Sequence, residues 1–174
     1  MGCPWSGVIY RSPRLKYTRR SALLSGKGSF EHGGRWNTPG SFAAVYGSLT
    51  PDTALKEALA TAAYYGLQNH TLFPRGIVAV KVKLHNLFDL TSGIIRKHLL
   101  ISQNRMLNAD WRMEQHKGRE ALSQAVGRAA YRLGFEALAV PSKADPSGTN
   151  LVIFPDNLQT NSQITYLNEA ELPE

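Results

Sequence analysis

Residues 77–84 read Ile-Val-Ala-Val-Lys-Val-Lys-Leu, which places Val78, Val80, Val82 and Leu84 on one side and Lys81 and Lys83 on the other. Successive side chains of a strand point to opposite faces, so this is a strand with one buried and one solvated side. Two helices are equally well marked. Thr50 is a candidate N-cap, Pro51 occupies the first helical position and Asp52 complements the helix dipole. That helix is expected to run to about Tyr65, with Leu55, Ala58, Leu59 and Ala62 as its apolar stripe and Gly66 as terminator. The second is expected over 119–133, with Leu122, Ala125, Val126, Ala129 and Leu133 as its stripe and Gly134 closing it.

Shorter apolar runs complete the pattern. Residues 8–10, ending in Arg11, read as a strand, as do 43–46, 137–140 and 150–154, and 164–167 is a possible edge strand. Residues 12–40 are rich in Gly, Ser, Pro and Arg and read as a long structured loop, which in a compact domain is usually functional. Residues 92–118 are polar and helical in parts, with Trp111 the expected buried anchor. No repeat or linker interrupts the 174 residues. The fold class expected is α+β: a single domain over 1–174, with mixed or antiparallel central sheets and flanking helices.

With 43% hydrophobic and 19% charged residues the chain is globular rather than disordered. No apolar run approaches the roughly 20 residues that cross a bilayer. The first eleven residues lack a basic segment followed by an apolar one, so a signal peptide is not expected, and the expected location is cytoplasmic. Cys3 is the only cysteine, which excludes an internal disulfide or a cysteine-based zinc site and fits a reducing compartment. The five histidines are scattered without ligand spacing, and no metal site is expected. The formal charge of +7 is uneven: residues 1–30 carry six Lys and Arg and no acid, whereas 155–174 carry four acids and no Lys or Arg. Such a distribution favours polyanionic ligands or an acidic partner, and equally describes ordinary solubilising charge.

The stretch 26–46 concentrates the chemistry. Arg35, Trp36 and Asn37 lie between Gly33-Gly34 and Pro39-Gly40. Glycines permit a tight turn or a close backbone approach, and an Arg on such a turn offers a planar fork suited to carboxylate or phosphate. The competing reading is a tight hairpin with Trp36 in the core and Arg35 in solvent. No dinucleotide fingerprint is present, because Glu31 stands where the third glycine belongs, and neither phosphate-loop nor nucleophile-elbow spacing occurs. What remains is a set of single residues: Tyr46 at a strand end, Glu57 on the first long helix and Ser142 after the strand 137–140. On residue pattern alone, Tyr46 reads as core packing and Ser142 as a turn residue. The helical wheel sets Glu57 opposite the Leu55, Leu59 and Ala62 stripe, as a surface glutamate or as one facing a cleft.

The segment Gly-Gly-Arg-Trp-Asn-x-x-Gly, a short strand ending in Tyr46, and Ala-Leu-x-Glu-Ala-Leu resemble the RES domain. Ala-Val-Pro-Ser at 139–142, Asn-Leu-Val-Ile-Phe at 150–154 and the opening Tyr10-Arg11 extend the resemblance over about 7–157, leaving an acidic tail at 158–174. The resemblance implies an ADP-ribosyltransferase-like fold and the toxin of a type II toxin–antitoxin system. It implies a substrate, NAD, cleaved at the nicotinamide–ribose bond with no prosthetic group. It also implies an antitoxin partner with an Xre-type helix-turn-helix domain. By the same resemblance Arg35, Glu57 and Ser142 are catalytic, while Arg11, Arg35, Tyr46 and Ser142 bind NAD. The acceptor is left open between water (glycohydrolase), phosphate (phosphorylase) and a protein target (ADP-ribosyltransferase). A non-enzymatic nucleic-acid-binding domain is the competing class; no such motif or aromatic platform is present, and direct nucleic-acid binding is not expected.

Overall fold

The computed structural model describes residues 2–15, 19–67, 73–167 and 172. The elements are β1 (Cys3–Arg11), α1 (Arg20–Leu23), α2 (Lys27–His32), β2 (Val45–Ser48), α3 (Pro51–Tyr64), β3 (Val78–Asp89), α4 (Gly93–His98), α5 (Gln103–Asn108), α6 (Trp111–His116), α7 (Leu122–Arg132), β4 (Ala137–Pro141), β5 (Thr149–Ile153) and β6 (Gln163–Tyr166). The strands form one sheet in the order β1-β2-β5-β4-β3-β6, and β1 also pairs with β3, so the first five close into a ring. All pairings are antiparallel except β3 with β4.

The alternating segment is the hub of this sheet. Val78, Val80, Val82 and Leu84 are buried while Lys81 and Lys83 are exposed. β3 carries β1 along one edge, from Cys3 opposite Leu87 to Arg11 opposite Val78. On the other edge it carries β6, with Val82 opposite Ile164, and then β4, with Phe88 opposite Leu138. One core, with Ile9, Val80 and Leu151, lies on one side of β4 and β5, and a second, with Trp36, Leu138 and Phe154, lies on the other. β4 is therefore buried along its whole length, as a strand covered on both faces must be.

Several elements depart from expectation. β1 begins at Cys3, and β2 covers 45–48 rather than 43–46. The stretch 12–40 is not one loop: it holds α1 and α2, whose four and six residues are too few to show a helical period. The segment 92–118 resolves into three six-residue helices with Met106, Leu107 and Trp111 buried. The buried face of α7 is Ser123, Gln124, Gly127 and Ala130, while the expected stripe residue Leu133 is 74% exposed. The start of α3 is as expected, with the Thr50 hydroxyl accepting from the Thr53 N–H at 3.1 Å. Its inward face is not. Thr53, Ala54 and Ala62 are buried against β1 and β2, and Leu55 and Leu59 are only half-buried. Small residues let the helix lie close to the sheet, and that rotation brings Glu57 inward.

Glu136, just before β4, is fully buried. Its Oε2 accepts from the N–H groups of His85 (2.5 Å) and Asn86 (2.8 Å), and its Oε1 from the Gln159 N–H (2.9 Å) and the Ser162 hydroxyl. Burial pushes its pKa up, but these hydrogen bonds outweigh burial and hold it below the usual carboxylate value. A depressed folded pKa contributes stability that is complete above the unfolded value of about 4.3 and is lost as pH falls through the folded value. Glu136→Gln is therefore expected to melt earlier at pH 7 and to lose less on acidification below about pH 4.3. Identical acid limbs in the two melting profiles would count against this role.

Candidate active site

Glu57 sits where α3 passes the ends of β2, β4 and β5. Its Oε1 accepts from the Ser142 hydroxyl at 2.6 Å and from the Asn150 side-chain amide at 2.7 Å. Asn150 is itself held by the Ser48 hydroxyl, which donates to its Oδ1 at 2.6 Å. Ser48 and Asn150 are directly opposite in the β2–β5 pairing, so sheet register sets this contact. The carboxylate is thus fixed by the residue that follows β4 and by one from its neighbour β5. Its Oε2 has no hydrogen-bond partner among the described residues.

Ser142 is buried, and its hydroxyl is fully engaged: it donates to Glu57 and accepts from the Asp145 N–H at 3.0 Å. Among the described residues no histidine is hydrogen-bonded to it as a base, so the geometry is that of a residue orienting the carboxylate rather than of a nucleophile. The loop behind it is clamped to α3. Asp145 Oδ2 accepts from the Thr53 hydroxyl at 2.7 Å, and Oδ1 lies 3.3 Å from Lys56 Nζ. The Thr53 hydrogen bond, followed by Lys56, holds the Asp145 pKa below the usual carboxylate value. A cavity of about 440 Å³ beside this clamp is lined by Thr50, Asp52, Thr53 and Asp145 among others. Its two carboxylates make it a poor place for an anion.

Arg35 approaches from the other side on a turn closed by the Gly34 N–H donating to the Asn37 carbonyl at 2.8 Å. Both readings of this segment hold a part of the answer. Trp36 is buried in the core, as a tight hairpin requires, but Arg35 is half-buried rather than solvated. Its Nη1 donates to the carbonyls of Leu107 (2.8 Å), in the last turn of α5, and Ala109 (3.3 Å), in the link to α6. Burial lowers its pKa, and the negative charge of Glu57 is the largest influence raising it. Arg35 is therefore within electrostatic reach of Glu57.

The turn is held by a fully satisfied buried network. Asn37 Nδ2 donates to the carbonyls of Ser29 (2.8 Å) and Phe42 (3.1 Å). The Tyr46 hydroxyl donates to Asn37 Oδ1 at 2.7 Å and accepts from the Trp36 N–H at 3.0 Å. It passes so close to Gly34 that a Cβ there would lie 2.4 Å from the phenolic oxygen. Burial pushes the Tyr46 phenol well above its ordinary pKa, so it stays a donor. Gln124 reaches the turn from α7, donating to the Gly34 carbonyl at 3.1 Å. Tyr46→Phe leaves the Trp36 N–H and Asn37 Oδ1 without this partner, an expected cost of about 1–3 kcal/mol read as a lower denaturant midpoint. An unchanged midpoint would show that the turn does not depend on this hydroxyl.

Arg11 is placed differently. It ends β1, and because Tyr10 pairs with Ser48, the alternation of the strand turns Arg11 to the opposite face. Burial lowers its pKa, and Tyr166 on β6 is the neighbour that raises it. No hydrogen bond among the described residues joins Arg11 to Glu57, Ser142 or Arg35. The structure thus joins Glu57 to Ser142, ties Tyr46 to the Arg35 turn and lets the charge of Glu57 act on Arg35, while Arg11 shares none of these contacts. Asn150, Ser48, Gln124 and Asp145, which no motif marks as functional on its own, complete the supports. Lys16 and part of the acidic tail lie outside the described residues.

The profile of the RES domain matches residues 8–171. The chain belongs to the RES domain family. The match runs beyond residue 157, through β6 and into the acidic tail. No curated protein is similar enough to count as a relative. Among solved structures, the fold is similar to a chain in the crystal structure of the M. tuberculosis MbcT–MbcA toxin–antitoxin complex, with a TM-score of 0.72. The two are 23% identical, and the similarity covers 95% of this RES domain chain and 83% of the other. Among the described residues of this RES domain no helix is long and apolar enough to cross a membrane.

Proposed function

We propose that this RES domain is the toxin of a toxin–antitoxin pair and that it cleaves the nicotinamide–ribose bond of NAD. The observation that carries the reading is Glu57. It is a carboxylate locked through one oxygen by Ser142 and Asn150, with its other oxygen unpartnered among the described residues and Arg35 within electrostatic reach. The nicotinamide of NAD is a cationic leaving group. When the C1′–N bond breaks, the bonding pair neutralises the ring, so no general acid is needed. C1′ is left with oxocarbenium character, as in glycoside cleavage. A fixed carboxylate stabilises that developing charge without having to reorganise.

The other residues follow from their contacts. Ser142 and Asn150 prevent rotation of the Glu57 carboxylate. Arg35, with one nitrogen spent on two backbone carbonyls, offers the rest of its fork to the pyrophosphate. Tyr46, its hydroxyl pinned beneath the turn, offers a ring of fixed orientation to the nicotinamide. Water or phosphate then adds an oxygen to C1′, giving ADP-ribose or its 1-phosphate and releasing a proton. The fold shared with a member of a toxin–antitoxin complex supports a protein antitoxin as the natural partner, and family resemblance suggests one of the Xre type. Induced expression of the chain alone is expected to arrest growth and empty the cellular NAD pool, and co-expression with its antitoxin to restore both. Undisturbed growth with normal NAD would count against the proposal.

A further inference from the structure

The stretch that anchors Arg35 carries a second cation that the reaction above does not use. Arg112, the second residue of α6, lays its guanidinium carbon 4.4 Å from the Trp111 ring centroid and 4.5 Å from that of Tyr64, with Tyr65 at 5.5 Å. Among the described residues this guanidinium makes no ion pair and no hydrogen bond, and its Nε is buried without a partner. A buried N–H left unpaired in this way is uncommon and points to a missing acceptor. The nearby carboxylates do not satisfy it: among the described residues neither Glu57 nor Asp110 reaches the guanidinium by a hydrogen bond or an ion pair. Glu57 is bound by Ser142 and Asn150, and Asp110 Oδ1 accepts from the N–H groups of Arg112 and Met113 at 3.1 Å each.

Arg35 and Arg112 hang on the same short stretch. Arg35 is bonded to the Leu107 and Ala109 carbonyls, three to five residues before Arg112. The positive charge of Arg112 is also one of the influences that make Arg35 harder to protonate, second among charges only to Glu57. Two cations that repel each other are relieved by an anion that both can reach. Spacing along α3 gives the direction. Glu57 and Tyr64 are seven residues apart, hence on one helix face and about 10 Å apart along the axis. A ribose and its attached phosphates have that reach. Tyr64 and Tyr65 are 50% and 62% exposed, so the wall is open to a ligand.

We propose that Arg112 is the second cation of a pyrophosphate-binding wall, clamping with Arg35 the diphosphate of a dinucleotide whose ribose lies at Glu57. The aromatic stack of Tyr64 and Trp111 holds the guanidinium plane at the height of the phosphates, which gives the polar 92–118 segment its role. The identity of the ligand rests on the reading of NAD as substrate; the anion site itself does not.

The test is calorimetric titration of the full chain with inorganic pyrophosphate at low salt, for the unaltered protein, Arg112→Gln, Arg112→Met and Glu57→Gln. The unaltered protein binds, Glu57→Gln binds at least as tightly, and both Arg112 variants bind about ten- to a hundredfold more weakly. A variant counts only where its melting temperature is unchanged. Should neither variant qualify, the Arg112 Nε–H resonance of the unaltered protein is followed instead, and it shifts on adding pyrophosphate. Absence of pyrophosphate binding, equal affinity in a folded Arg112 variant, or a stationary resonance overturns the inference. Binding through Arg112 without any nicotinamide release would keep the anion site and remove the reaction.

Discussion

Glu57→Gln is expected to lower nicotinamide release from NAD by about 10²–10³-fold, the usual scale for losing one preorganised electrostatic contact at a reacting centre. The fold should survive, because glutamine keeps an oxygen for the Ser142 hydroxyl and the Asn150 amide, at 2.6 and 2.7 Å in the native protein. The loss should appear in kcat more than in KM, since the missing charge matters only once C1′ becomes cationic. Steady-state kinetics beside a thermal melt check both halves. A raised KM with unchanged kcat would make Glu57 a binding residue and return the charge stabilisation to another group.

The second large effect is expected far from the carboxylate. A Cβ at Gly127 would lie 1.8 Å from the Trp36 carbonyl oxygen. That neighbour is backbone of the Arg35 turn, not the end of a flexible side chain, so Gly127→Ala must push α7 and the turn apart. Overpacking of this kind costs about 1–3 kcal/mol or more, and for a chain of this size each kcal/mol lowers the melting temperature by about 2–4 °C. Activity should fall with it, because the Gln124 contact with the Gly34 carbonyl at 3.1 Å is lost and Arg35 moves. Calorimetry of the variant decides; a native melting temperature would mean that the helix and the turn are not packed as described.

These two positions also show where sequence reading succeeds and where it stops. The start of α3 is legible because Thr50, Pro51 and Asp52 act locally, and β3 because its period of two persists over eight residues. The helices of 92–118 are not, since six residues hold fewer than two turns. The inward face of α7 escapes notice because it is built from Gln124 and Gly127, a polar and a side-chainless residue that no hydrophobic pattern can mark. Glu57 reads as a surface residue for a related reason. α3 packs through Thr53, Ala54 and Ala62 rather than through its leucines, so a wheel weighted by hydrophobicity points the wrong way. The resemblance to the RES domain, not the residue pattern, singles out Arg35, Glu57 and Ser142. Even so, the support of Glu57 by Asn150 and Ser48 depends on strand register across 102 positions, which only the fold reveals.

The most direct test of the central claim is nicotinamide release from NAD by the purified chain, with and without phosphate, beside Glu57→Gln. The account predicts release by the unaltered protein and its near-abolition in the variant, with any phosphate dependence identifying the acceptor. Equal release by both proteins, or none from the unaltered protein in either buffer, would contradict it.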